Sequence, residues 1–284
     1  MSAPLLDSIL DHLDHIRILP RRLILCTPGS EPTVPMLRGV WGAALHRLNR
    51  PVYDKVFGPE GGDLPLYLMR AGLPIPRESP AVEHFLFNAA IDSDTILLQA
   101  WMRACDTGLG PNREPFFLRG YTIGPDSSRL DSDSFWKMSD LLWPLQGPAW
   151  CDPVTIRFPL PVRLLRNKIL ITDPILPDLV VSITRRIGNL LPVQHHDSWR
   201  EVSHACLDLS REMVAEPWMG GPCDAWRWSA RQQSEIQLRG ITGELALPDG
   251  AGELWPLLVA ATWLHMGKGT VFGMGQAELV PYAH

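Results

Sequence analysis

The sequence predicts an α+β fold whose second half runs strand–helix–strand–strand–helix–strand, the ferredoxin-like order, with the first half fitting that order less cleanly. Three observations carry this. The chain has 284 residues, 45 % hydrophobic and 20 % charged, enough for two compact cores. Short apolar runs with strand character alternate with stretches of helical periodicity. Between Pro144 and Pro153 three prolines and a glycine interrupt the pattern, which places a boundary there and gives expected domains 1–150 and 151–284.

Taken in order, Leu5, Leu6, Ile9, Leu10, Leu13 and Ile16 recur at helical spacing, so a short amphipathic helix or a strand lead-in opens the chain. Arg22 to Thr27 reads as a strand. Pro35, well suited to a helix start, opens a helix to about Leu48. Pro51 to Pro80 is rich in glycine and proline and reads as loop. A strand over Val82 to Ile91, a helix over Thr95 to Cys105 and a strand over Phe116 to Ile123 follow. Gly124 to Ser139 is expected to form an exposed hairpin or loop. In the second half, Val154 to Val162 is a strand, and Leu176 to Leu191 and Ser198 to Val214 are helices. Ile236 to Leu247 reads as two strands around a bend at Gly240 to Gly243. Leu254 to Met266 is a helix and Ala277 to Pro281 a closing strand.

The bulk composition narrows the function. The longest strongly apolar run, Leu254 to Leu264, is too short to span a bilayer. Asp7, Asp11 and Asp14 stand where a signal peptide would carry positive charge, so a cytoplasmic location is expected. The five cysteines form no CxxC pair, which fits a reducing compartment and speaks against a zinc knuckle. The net charge of −5 does not by itself suggest a nucleic-acid partner, but the acidic excess is concentrated in residues 51–154. Of the 26 basic residues 22 are arginines, the side chain that pairs bidentately with phosphate.

The sharpest local signal is Gly267-Lys268-Gly269-Thr270-Val271-Phe272-Gly273-Met274-Gly275. Glycines at this density let a backbone approach a ligand and turn its N–H groups toward an anion. It is not a P-loop, which needs GxxxxGK[ST]. Nor is it a dinucleotide fingerprint, because a helix precedes it and a strand follows.

The run Arg227-Trp228-Ser229-Ala230-Arg231-Gln232, then Leu238-Arg239-Gly240, Gly243-Glu244-Leu245, Trp263-Leu264-His265-Met266 and the glycine loop resembles the repeat-processing endoribonucleases of CRISPR systems, in the RAMP superfamily. Leu37-Arg38-Gly39 with Gly42 and Leu45 resembles the family's first helix. Arg157 to Arg163 and the helix carrying Arg185 and Arg186 resemble the opening of its second domain. The resemblance implies tandem ferredoxin-like (RRM-like) domains and a groove that binds CRISPR repeat RNA. It also implies metal-independent cleavage by attack of the substrate's own 2′-hydroxyl, leaving a 2′,3′-cyclic phosphate. No cofactor is implied. A crRNA-holding subunit of an effector complex that no longer cuts is the alternative.

His46 is the first catalytic candidate. By helical spacing Leu37, Trp41, Ala44 and Leu48 form the core face, while His46 lies opposite beside Gly39, Gly42 and Ala43. An imidazole serves as either base or acid near neutral pH. Tyr53 and Lys55 follow that helix and could complete the site, although their spacing does not demand it. Expected RNA contacts are Arg38, Arg163, Arg166, Arg185, Arg186, Arg227, Arg231, Arg239, His265, Gly267, Lys268, Gly269, Thr270, Gly273 and Gly275. His265 could instead cap the last helix as a cation. His195, His196 and His204 lack the spacing of a metal site, and none is expected. Trp226 and Trp228 either pack or stack on a base.

Overall fold

A computed structural model describes residues 4–26, 32–57, 65–71, 81–110, 112–123, 135–142, 152–229 and 234–282. Helix α1 (Pro4–Leu13) leads into strand β1 (Arg17–Cys26), α2 (Val34–Leu48), α3 (Arg50–Phe57), β2 (Tyr67–Ala71), β3 (Ala81–Phe87), α4 (Asp94–Thr107), β4 (Phe117–Ile123) and the two-residue β5 (Trp136–Lys137). The second half runs β6 (Val154–Val162), a small hairpin β7 (Leu165–Arg166) and β8 (Ile169–Leu170), α5 (Leu176–Gly188), α6 (His196–Glu212), β9 (Met219–Ser229), β10 (Ser234–Leu247), α7 (Trp255–Leu264) and β11 (Glu278–Pro281).

Each half forms an antiparallel sheet with the ferredoxin-like strand order. The first is β2-β3-β1-β4 and the second β11-β6-β10-β9, so in each the first and third strands of the unit lie at the centre. The expected tandem fold is therefore present.

The first sheet is buried on both faces, and strand alternation explains how. Leu19, Leu23, Leu25, Tyr67, Met69 and Leu86 face α2 and α4 in one core. Ile18, Leu68, Phe85 and Phe87 belong to a second core shared with α5, α7 and the second sheet. Helix α7 sits between the two halves, which is why the run Leu254 to Leu264 is apolar on every side: Phe85 meets Trp263 edge-on at 5.8 Å, and Arg70 donates to the Thr262 carbonyl at 3.1 Å. Helix α1 also packs toward the second half. Its His12 bonds Ser198 of α6 at 2.9 Å and lies 5.2 Å from the Trp199 ring.

Three expectations are corrected. Pro51 to Pro80 is not all loop, since α3 and β2 lie within it. The Asn49 side chain accepts the Val52 N–H at 3.0 Å, so Asn-Arg-Pro starts a helix with proline in its first turn. Residues 236 to 247 form part of one continuous strand; its register on β6 shifts between Ile241 and Gly243. Gly243 serves close approach there, because a Cβ would collide with the Met219 carbonyl oxygen. The last part of the expected hairpin over Gly124 to Ser139 is β5 running into a 3-10 turn, and residues 124–134 lie outside the described residues. Among the described residues no helix is long and apolar enough to cross a membrane.

Candidate functional site

A cleft of about 890 Å³ opens in the second half. One wall is α5, which carries Ser182, Arg185 and Arg186. The opposite wall is the glycine loop from Gly267 to Val271, and the rim is the β7–β8 hairpin. The hairpin turns through Asn167 and Lys168, both with positive φ (51° and 67°), as a two-residue connection requires. It thereby holds Arg166 and Lys168 at the mouth. Asp178 accepts the Ile175 N–H at 3.2 Å at the start of α5 and pairs with Arg166, tying the hairpin to the helix. Arg185 and Arg186 fall in the last turn of α5, where the helix dipole favours cations.

Eight sequence-predicted residues thus meet in one place: Arg163, Arg166, Arg185, Arg186, Gly267, Lys268, Gly269 and Thr270 all line the cleft. Arg211, from the last turn of α6, lines it too and was missed. The signal was a cation ending an amphipathic helix, which sequence alone does not distinguish from solvated charge.

The glycines also shape the loop itself. Most of the loop's amides are used internally. Gly267 N–H donates to Ser182 Oγ at 2.8 Å, Lys268 N–H to the Arg163 carbonyl at 2.9 Å and Gly275 N–H to the Pro161 carbonyl at 2.9 Å. Gly275, at φ 76°, leaves no room for a side chain, since a Cβ would overlap the Met266 carbonyl oxygen. Gly273 packs under Val34 at the start of α2.

His265 is corrected as an RNA contact. It is fully buried, its Nδ1 donates to the Met274 carbonyl at 3.1 Å, and it secures the loop from behind. Burial, with Arg70 and Arg186 nearby, pulls its pKa down to about 3, so it is neutral and does not cap α7 as a cation. Arg239 is exposed on β10 beside Gln237, away from the cleft lining. The Arg227 side chain and Arg231 lie outside the described residues, as does the Trp228 side chain. Trp226 is 58 % exposed, so it does not pack into the core.

Helix α2 joins this region to His46. Thr33 caps its start, and Arg38 reaches across to the loop, with its guanidinium 4.7 Å from the Phe272 ring and 5.0 Å from the Phe57 ring. Arg38 Nε also donates to the Tyr67 hydroxyl at 2.7 Å. Eight residues on, about 12 Å along the helix axis, His46 is exposed. Its ring meets Tyr53 edge-on at 5.0 Å, and its Nε2 lies 2.7 Å from Arg50 Nη1. Gly42 makes this pairing possible: Phe57 would lie 2.9 Å from a Cβ there, so α3 rests directly on α2 and presents Tyr53 to His46. Lys55 does not join them; it pairs with Asp92 at 4.0 Å. Among the described residues no group of histidine, cysteine and acidic side chains is arranged to hold a metal ion.

Residues 156–277, which contain the cleft and its loop, match the family model of the CRISPR-associated endoribonuclease Cas6. This part of the chain is similar to Cas6. Solved Cas6 structures share its fold across nearly the whole length. Thermus thermophilus Cas6 superposes with a TM-score of 0.56 at 15 % identity, over 94 % of this chain and 98 % of that one. A second Cas6, solved as a product complex, gives 0.58 at 19 % identity, over 93 % and 99 %. No curated protein sequence matches the chain. The Cas6 match covers α5, β10, α7 and the glycine loop, so the part of the chain with the basic cleft is the part that carries the family pattern.

Proposed function

We propose that this chain binds CRISPR repeat RNA along the basic cleft and α2 and cleaves it without a metal, with the two units 1–150 and 151–284 acting together. The observation that carries the reading is the convergence of Arg163, Arg166, Arg185, Arg186 and the Gly267–Thr270 loop on one cleft within the segment matched to the Cas6 model. The substrate's 2′-hydroxyl attacks the adjacent phosphorus, the bond to the 5′-oxygen breaks, and a 2′,3′-cyclic phosphate and a 5′-hydroxyl form. His46 takes the 2′-hydroxyl proton or delivers one to the leaving oxygen, with Tyr53 beside it as partner, and Arg38 and Lys268 counter the phosphate charge.

The test is a labelled repeat RNA incubated with the protein in EDTA, beside a copy bearing one 2′-deoxy nucleotide just upstream of the cut. Cleavage of the ribose form alone, with both bound, supports the reading. Binding of both without cleavage turns the assignment to a crRNA-holding subunit, the reading favoured by the engagement of Lys55 with Asp92. Absence of binding rejects both.

A further inference from the structure

Arg186 stands apart from the other cations of the cleft. Arg166, Arg185, Lys168 and Arg211 are exposed, whereas Arg186 is only 5 % exposed. Its Nε and Nη2 are buried with no hydrogen-bond partner, and a ring of Phe87 lies 5.8 Å from the guanidinium. Asp178, on the same helix, pairs with Arg166, and Glu83 on β3 pairs with both Arg22 and Arg70. The Nε2 of buried His265 is unpartnered as well. Arg186 and Arg70 both disfavour a charge on that imidazole, which puts this corner of the protein under a net positive field. Buried polar atoms are nearly always paired, and a buried arginine without an acid is a costly arrangement. Desolvation lowers the Arg186 pKa only to about 10, so the group remains a cation at neutral pH.

We infer that Arg186 is the seat of a single phosphate group of the bound RNA, where α5 and the glycine loop line the cleft. This rests on the reading of that cleft as an RNA site. A phosphate supplies what Arg186 lacks, a negative charge and oxygens that accept the planar guanidinium donors. The exposed arginines at the rim follow the RNA backbone in a graded, salt-sensitive way. Arg186 fixes one phosphate and so sets the register of the strand relative to His46.

A phosphate seat and a purely structural arginine differ in how stability responds to anions. Thermal unfolding of the full chain is followed while inorganic phosphate is raised, against sodium chloride at equal ionic strength, for the wild type, Arg186→Met and Arg186→Lys. Phosphate is expected to raise the wild-type Tm beyond chloride, as a ligand of the native state does. Arg186→Met is expected to start at a Tm no lower than wild type and to lose that response. It should also bind repeat RNA about tenfold or more weakly, the loss expected for one charge-assisted pair. Arg186→Lys should keep part of both responses. An unchanged phosphate response or an unchanged RNA affinity in Arg186→Met overturns the inference. Should that variant not fold, wild-type crystals grown in phosphate decide: an anion bonded to Arg186 supports the seat, and its absence from Arg186 overturns it. Wild-type protein that responds to phosphate yet ignores repeat RNA rejects the RNA-processing reading and leaves the anion seat standing. RNA binding with no phosphate response does the reverse.

Discussion

His46 and Arg50 meet in a way that fixes a tautomer. An arginine only donates, so the His46 Nε2 at 2.7 Å from Arg50 must carry its lone pair toward the guanidinium. Arg50 is shared with Asp54, at 2.8 and 2.9 Å from the two carboxylate oxygens, and 61 % of its side chain is exposed. On the proposed function, an RNA phosphate arriving here would compete for that guanidinium and free the imidazole to take or give a proton. His46→Ala should therefore lower single-turnover cleavage by about a hundredfold or more, the usual worth of general acid–base catalysis, while filter binding of repeat RNA stays within about twofold of wild type. Equal losses in both would assign His46 to binding. Lys55 provides the contrast. It is two residues from Tyr53 on α3, about 200° around the helix, and holds Asp92. Lys55→Ala should cleave at close to the wild-type rate, and a hundredfold loss would restore it to the site.

At the scale of elements, two glycine substitutions should act in opposite directions. Gly39 lies on the exposed face of α2, and a methyl group added there would meet nothing within 4 Å. Gly39→Ala should therefore stabilise the protein by about 0.5–1 kcal/mol in urea unfolding, through helix propensity alone. Gly275→Ala meets the Met266 carbonyl at φ 76° and disturbs both the Met266–Gly275 and Gly275–Pro161 bonds. It should destabilise by about 1–3 kcal/mol; a neutral result would show that the loop relaxes freely. The same elements show what the sequence made legible. Period-2 and 3.6-residue patterns located β1, α2, β6, α5 and α6, because each buries a regular apolar face, while α7 stood out as a continuous apolar run. Helix α3 was hidden because Pro51 resembles loop punctuation until Asn49 is seen to cap the turn before it. The basic cleft was legible as a cluster of arginines on two neighbouring segments. Which arginine is buried was not, since that depends on how α5 meets Phe87 across the interface, a long-range contact with no local signature. The glycine loop was legible as a site; that most of its amides bond within the protein was not, because positive φ also serves the loop's own tight path.

For the whole molecule, α7 welds the two sheets into one packed body and leaves each half with one deeply buried neutral histidine. His84, in the first half, lies edge-on to Trp41 at 4.6 Å, and His265 lies behind the glycine loop. Burial is the leading cause for both, with Arg21 adding to it at His84, and each pKa is drawn down to about 3. The sign of the consequence is fixed by linkage. Above the ordinary value of 6.5 both histidines are neutral whether the chain is folded or not, and they add no slope. Below it the unfolded chain takes up protons that the native state refuses, so stability falls as the pH drops from about 6.5 toward 3. Unfolding free energies measured in urea between about pH 7 and 5 should therefore decline toward acid. His84→Phe keeps a ring against Trp41 but removes one of these protonations. Its free energy of unfolding should decline with a slope shallower by about one proton at about pH 5, with repeat-RNA binding unchanged because His84 lies in the core between the first sheet and α2. Equal slopes would mean that His84 is protonated in the native state, which would require a partner for its ring that the packing of Trp41, Tyr67 and Trp101 around it does not provide.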